Sequence, residues 1–171
     1  MEDLKKCIRD VPDFPKQGIL FKDITTLIKK GDKFKEVIDI FYNEYKQKNI
    51  DLILAAEARG FIFAGALAYK LGCGFVPVRK KGKLPSETIE ATYDLEYGTD
   101  TLCIHKDAIS ADQNILVLDD LLATGGTAKA MCDLVKKAGG KVAGIAFMIE
   151  LIDLNGKDKL KDCDIFSMIK Y

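Results

Sequence analysis

Asp119 and Asp120 stand side by side at the end of an apolar run, Ile115–Leu118, and Thr124, Gly125, Gly126 and Thr127 follow closely. Adjacent carboxylates repel each other unless a ligand or cation compensates. Gly125 and Gly126 can adopt backbone angles that turn amide groups into a common hollow. Thr124 and Thr127 add hydroxyl donors, and the helix that follows adds unpaired N–H groups and its positive dipole end. This is a phosphate cradle without a lysine. It matches neither G-x-x-x-x-G-K-[ST] nor G-x-G-x-x-G, which argues against a nucleoside-triphosphate loop and a dinucleotide fold. Two carboxylates beside such a cradle suit a sugar phosphate: the cradle takes the phosphate and Asp119 and Asp120 accept hydrogen bonds from vicinal hydroxyls. A lone Asp pair or Gly pair is more often a capped turn; the full succession of strand, acids and turn is what favours a ligand.

The elements that must position these residues are readable from periodicity. A nearly continuous apolar run at Ile50–Ala56 predicts a strand covered on both faces, and Gly74–Lys80, Asn114–Asp120 and Lys141–Glu150 read as further strands, with a last short one at Cys163–Ile169. Pro77 places the second of them near an edge or a strand end. Gly60–Gly72 and Gly126–Ala138 read as crossover helices, the latter closing at Gly139 and Gly140. Asp32–Lys48 reads as an amphipathic helix with Phe34, Val37, Ile38, Phe41 and Tyr45 on one face and Asp32 as N-cap. Alternation of strand and helix predicts an α/β fold, a central mostly parallel sheet flanked by helices. Lys80–Cys103 breaks the rhythm with Gly82, Pro85 and Gly98 and is expected to form a hairpin or mobile loop above the strand ends. Ligands of open α/β sheets sit outside the carboxyl ends of the strands, and the pattern puts Asp119 and Asp120 there.

Composition sets the outer bounds. A chain of 171 residues fits a single domain over residues 1–171 with a real core. Lys plus Arg and Asp plus Glu both total 26, so net charge gives no support for a nucleic-acid or membrane-surface partner. The five scattered cysteines form no C-x-x-C pair, which favours reduced thiols in a cytoplasmic protein over disulfides or zinc. The charged N-terminus has no signal-peptide run and no stretch approaches membrane-span length.

"VLDDLLATGGT" resembles the phosphoribosyl-pyrophosphate motif of the type I phosphoribosyltransferases. The resemblance extends from about Val11 to the C-terminus through "DFPKQGILFKDIT", "AEARGFIF", "RKKGKLP", "YDLEYG" and "IELIDLNG", in the family's order. "GILFKDI" and "LEYG" point to its adenine-using branch. The resemblance implies the type I phosphoribosyltransferase fold with a small hood, a homodimer, Mg²⁺ accompanying pyrophosphate, and purine salvage: adenine and 5-phosphoribosyl 1-pyrophosphate in, AMP and pyrophosphate out.

It also implies roles for residues. Asp119 and Asp120 would hold the ribose hydroxyls, near Mg²⁺ bound mainly through substrate and water, and Ala123, Thr124, Gly125, Gly126 and Thr127 the 5-phosphate. Arg59, whose planar fork suits phosphate oxygens, would meet pyrophosphate with Lys80 and Lys83, while Arg79 would reach a neighbouring subunit's site. The Glu57–Ala58 peptide would be cis. Glu96 would hydrogen-bond the base and act as general acid/base, and Tyr97 would close the lid and exclude water. Leu20, Phe21 and Leu151 would bind adenine, with Lys22 where some relatives carry Arg. His105 matches no site of the family and reads as structural. A guanine- or xanthine-using transferase is one alternative. A non-catalytic sensor is another, but it would need an added DNA-binding domain or a strongly basic face.

Overall fold

The computed structural model describes residues 1–94 and 98–171. They fall into two compact units, Met1–Ile40 and Phe41–Tyr171. The first unit contains helices α1 (Glu2–Lys5) and α2 (Thr25–Ile28), a two-stranded antiparallel ribbon of β1 (Arg9–Pro12) and β2 (Leu20–Asp23), and the start of α3 (Gly31–Tyr45). The turn of the ribbon needs backbone in the left-handed region, at Asp13 (φ 56°) and Gly18 (φ 86°), and the Asp13 carboxylate accepts the Gly18 amide at 2.7 Å. Leu4, Ile24 and Leu27 are fully buried.

Helix α3 begins at Gly31, so Asp32 lies inside the first turn instead of capping it, and its charge acts on the open end of the helix. The helix ends at Tyr45, three residues short of the expected Lys48, where the Lys48 amide turns back and donates to Tyr45 O at 2.9 Å. Val37, Ile38, Phe41 and Tyr45 are buried and Phe34 is half-buried.

The second unit is built on a seven-stranded sheet in the order β5-β6-β4-β3-β7-β8-β9. The strands are β3 (Leu52–Ala56), β4 (Gly74–Lys80), β5 (Thr88–Asp94), β6 (Thr99–His105), β7 (Asn114–Leu122), β8 (Lys141–Glu150) and β9 (Ile165–Lys170). Strands β4, β3, β7, β8 and β9 run parallel, and β5 and β6 join antiparallel at one end. Ile115, Leu116, Val117 and Leu118 are all fully buried, as the continuous apolar run predicts. Side chains alternate between the two faces. Leu54, Val76, Val117 and Phe147 pack with Ala128, Met131 and Val135 of helix α5 (Gly126–Lys137). On the other face Gly60 of helix α4 (Arg59–Leu71) approaches Ala55. The crossovers therefore cover opposite faces, and α5 ends before Gly139 (φ 87°) as expected.

The irregular segment after β4 is a hairpin, and it joins the sheet instead of standing above it. Strands β5 and β6 pair from Thr88↔His105 to Asp94↔Thr99, while β6 meets β4 only at Arg79↔Cys103 and Lys80↔Leu102. Pro77 is tolerated inside this sheet because the β4–β6 ladder has not yet closed at its position. Among the described residues no helix is long and apolar enough to cross a membrane.

Candidate active site

Strand β7 continues to Leu122, so Asp119 and Asp120 lie within it and not beyond its end. The physical reason is its neighbours. Pairing with β3 stops at Leu118, whereas pairing with β8 goes on through Asp119↔Phe147, Leu121↔Ile149 and Leu122↔Glu150. The chain order on either side of β3 and β7 reverses there, which is the crevice where ligands of open α/β sheets bind.

The carboxylates are held by three devices. The Asp120 amide donates to Asp119 Oδ1 at 2.9 Å. Arg59 Nε lies 2.9 Å from Asp120 Oδ2, and Asp120 is only 5 % exposed. Asp119 Oδ1 sits 2.9 Å from where a Cβ on Gly60 would be, so the start of α4 approaches the carboxylate closely only because residue 60 is glycine. The positive end of α4 then favours the negative charge. Burial, and next the charge of Asp120, push Asp119 well above the ordinary carboxylate range. Burial also raises Asp120, with Arg59 pulling in the other direction.

After β7 the chain turns through Ala123 and Thr124 to Gly125, whose φ of 80° puts it in the left-handed region at the N-cap of α5. Among the described residues no side chain caps this helix end, an arrangement that suits an anion. The turn lines a hollow of about 80 Å³ with Asp119, Leu121 and Thr127. A second hollow of about 230 Å³ shares those three residues and is otherwise walled by Glu57, Arg59, Lys80, Tyr93 and Asp120 among others. Thr127 Oγ1 and Tyr93 Oη are 3.4 Å apart.

The basic turn is anchored to acids. Arg79 Nε donates to Glu57 Oε2 at 2.8 Å, and the Lys80 amide donates to Glu57 Oε1 at 3.2 Å. Burial pushes Glu57 up, but these hydrogen bonds outweigh it and hold the acid below its ordinary value. Lys80 Nζ lies 2.8 Å from Asp100 Oδ2, a hydrogen bond that raises the lysine and lowers the aspartate. Gly82 (φ 81°) closes the turn, in which the Lys83 amide donates to Lys80 O and the Lys83 carbonyl accepts from Arg79. Lys83 itself is exposed. The Glu57–Ala58 peptide is cis, as expected.

The structure thus brings Arg59, Lys80, Asp119, Asp120 and the Ala123–Thr127 turn together around the two hollows. Leu151 is half-buried just after β8, and its amide donates to Leu122 O at 3.0 Å. Leu20, Phe21 and Lys22 belong to the ribbon of the first unit. Leu20 is exposed, Phe21 meets Phe14 edge-on at 5.1 Å, and Lys22 is buried with Nζ 2.7 Å from Asp10 Oδ1. Glu96 and Tyr97 lie outside the described residues. His105 ends β6 and lines a separate hollow with Leu52, Phe75 and Asp107 at the opposite ends of β3 and β4. Sequence reasoning missed Gly60, Tyr93, Asp100 and the grip of Glu57 on Arg79. "AEARG" carries the Glu57 and Gly60 signals, but neither residue states its partner.

The assembled geometry sets two adjacent carboxylates between the start of α5 and a cation-bearing wall. A family model described as "Phosphoribosyl transferase domain" matches residues 25–170. An adenine phosphoribosyltransferase from Clostridium botulinum (strain Eklund 17B / Type B) is 59% identical over 169 residues, covering 99% of this chain and 98% of that one. The crystal structure of adenine phosphoribosyltransferase from Thermoanaerobacter pseudethanolicus superposes with a TM-score of 0.97 at 52% identity, covering 99% of both chains. The Saccharomyces cerevisiae enzyme superposes with a TM-score of 0.93 at 40% identity, covering 98% of this chain and 97% of that one. Its structure was solved with adenine and D-2,5-dideoxy-2,5-imino-altritol 1,6-bisphosphate.

Proposed function

The chain belongs to the phosphoribosyltransferase family, within its adenine phosphoribosyltransferases, and we propose that this site moves the 5-phosphoribosyl group of 5-phosphoribosyl 1-pyrophosphate onto adenine. The products are AMP and pyrophosphate, a reaction of purine salvage. One observation carries the assignment to this site: a single strand, β7, delivers Asp119 and Asp120 and then turns at Gly125 into the uncapped start of α5.

In this reading Ala123, Thr124, Gly125, Gly126 and Thr127 hold the 5-phosphate through amides and hydroxyls. Asp119 and Asp120 accept hydrogen bonds from the ribose 2- and 3-hydroxyls. As the bond from C1 to pyrophosphate breaks, positive charge gathers on the ribose ring, and the fixed carboxylates stabilise it. Arg59, Lys80 and Lys83 bind pyrophosphate, and Arg79 serves the site of a neighbouring subunit. Leu20, Phe21, Lys22 and Leu151 are assigned to the base. Glu96 hydrogen-bonds adenine and takes the proton the base gives up. Tyr97 closes over the site, because water would otherwise capture the ribosyl cation.

Asp119 and Asp120 offer the hard oxygen donors that suit Mg²⁺ through water. Among the described residues no group of three or more His, Cys, Asp or Glu is arranged to hold a metal directly. Mg²⁺ brought with the donor would neutralise part of the pyrophosphate charge. The reading includes a homodimer: Ile62 and Tyr69 (39% and 91% exposed) share one apolar face of α4, suited to a partner. Five free cysteines suit the reducing cytoplasm.

The test is pyrophosphate release from the donor and Mg²⁺ with adenine or hypoxanthine. Hypoxanthine reverses the donor and acceptor at N1 and the six-position, so kcat/KM should favour adenine by about 10⁴. Comparable values for both bases would overturn the base assignment, and no release with either would overturn the reaction.

A further inference from the structure

We propose that Gly156 is a positioning residue for the phosphate-binding turn, and that the segment after β8 thereby sets how tightly the sugar phosphate is gripped. The inference rests on the assignment of Ala123–Thr127 to the 5-phosphate. A Cβ on Gly125 would overlap the Gly156 carbonyl oxygen, and a Cβ on Gly156 would overlap the Ala123 carbonyl oxygen and lie 3.0 Å from the Gly125 amide nitrogen. The two glycines are stacked main chain on main chain. Gly125 must also supply a φ of 80°, but Gly156 is not among the positive-φ glycines. The contact alone demands glycine at 156.

Gly156 is itself held in place. The segment is rooted where the Leu151 amide donates to Leu122 O at 3.0 Å. Asn155, in the left-handed region at φ 50°, turns the chain toward the phosphate-binding turn. The next residue, Lys157, lies 2.8 Å through Nζ from Glu150 Oε2, an acid whose side chain is 7% exposed at the end of β8. Leu160 is buried in the core that includes Ala128 and Met131 of α5. A half-buried ion pair beside Gly156 therefore ties the segment that packs against the turn to the end of β8. Displacing a positioned group by about 1 Å can cost about 10²-fold, so pressure from this segment should be felt as lost phosphate affinity.

The discriminating quantity is the ratio of the Kd for adenosine to the Kd for AMP, measured by calorimetry on the full chain. It isolates what the 5-phosphate adds. Gly156→Ala should lower this ratio by about tenfold or more and leave adenosine binding within about twofold. Lys157→Met keeps the stem and removes the charge; it should lower the ratio about threefold, and Lys157→Arg should restore it. That pair decides the question if Gly156→Ala fails to fold. A parental ratio that survives in Gly156→Ala, or in Lys157→Met where the first cannot be made, overturns the inference. So does a parallel loss of both ligands, the mark of a merely structural role. A parental ratio near one overturns instead the assignment of the turn to the phosphate.

Discussion

At Ala123–Thr127 the groups offered to an anion are main-chain amides fixed at the start of α5, whereas at Arg79–Lys83 they are side chains. Three of those side chains are already engaged, Arg79 with Glu57, Lys80 with Asp100 and Lys81 with Glu90. The first region is organised before any ligand arrives, and binding there requires little rearrangement. The second keeps its cations on internal acids that stand in for an anion, so a ligand must compete for them. Preorganised amides give a fixed shape; partnered cations give a charge that can be released.

The largest effect is expected where the two regions meet, at the shared carboxylates. Asp119→Asn and Asp120→Asn should each lower kcat/KM by about 10²–10³, measured by pyrophosphate release. The acids are raised in the folded state, so their ionisation opposes folding once the pH exceeds their ordinary value of 3.8. Thermal melts at neutral pH should therefore show the Asn variants unchanged or stabilised. Parental turnover in both would remove the sugar from this site.

Gly125→Ala attacks the preorganised region alone. The added methyl is strained at a φ of 80° and meets Gly156. It should cost about 10²-fold in kcat/KM, with the salt dependence of the donor KM unaltered. A change confined to that salt dependence would mean the two regions are not built differently.

For the basic turn, Lys80→Ala should raise the donor KM about tenfold, and the loss should shrink as salt is added. Asp100→Asn releases Lys80 from its stand-in and should move the donor KM the other way, by about twofold. A rise in KM from Asp100→Asn would show that the acid holds the lysine in its working position.

The smallest effect on catalysis is expected from an ion pair assigned to no ligand, Arg9–Asp23 in the first unit. Hydrogen bonds from Thr25, then Arg9, lower Asp23 from 3.8 to about 2. A lowered acid contributes stability that is complete above about pH 4 and lost as the pH falls through about 2. Asp23→Asn should flatten the fall in stability across that window and leave the donor KM within about twofold. A large change in KM would place Asp23 in the site.

The same contrast between main chain and side chain explains what the sequence discloses. Strands β4 and β8 match their expected limits because glycine or charge bounds an apolar run. The β1–β2 ribbon was not expected at all. Its strands are four residues long and charge-rich; β1 is largely exposed and β2 buries the charged Lys22 and Asp23, so neither shows the alternation of a half-buried apolar strand. Helix α3 starts ahead of Asp32 because the Phe34 amide donates to Lys30 O at 2.9 Å, a bond that residue types at the boundary do not announce. Within the site, Asp119 to Thr127 is readable because one local run carries strand, acids and turn. Gly60, Glu57 and Asp100 are not, because their meaning lies in partners far along the chain: Asp119, Arg79 and Lys80. The role of Glu96 rests on resemblance.

Asp119 and Leu121 of β7 and Thr127 of α5 line both hollows, so the two adjoin where that strand gives way to the helix. On the proposed assignment of the two hollows, that partition would serve as a ruler. A donor that fills both sides must carry its two phosphate-bearing ends at a separation the protein fixes, with hydroxyls over the dividing wall. A shorter sugar would leave one side empty, and a longer one would be pushed off the aspartates, so chain length is measured before any chemistry begins.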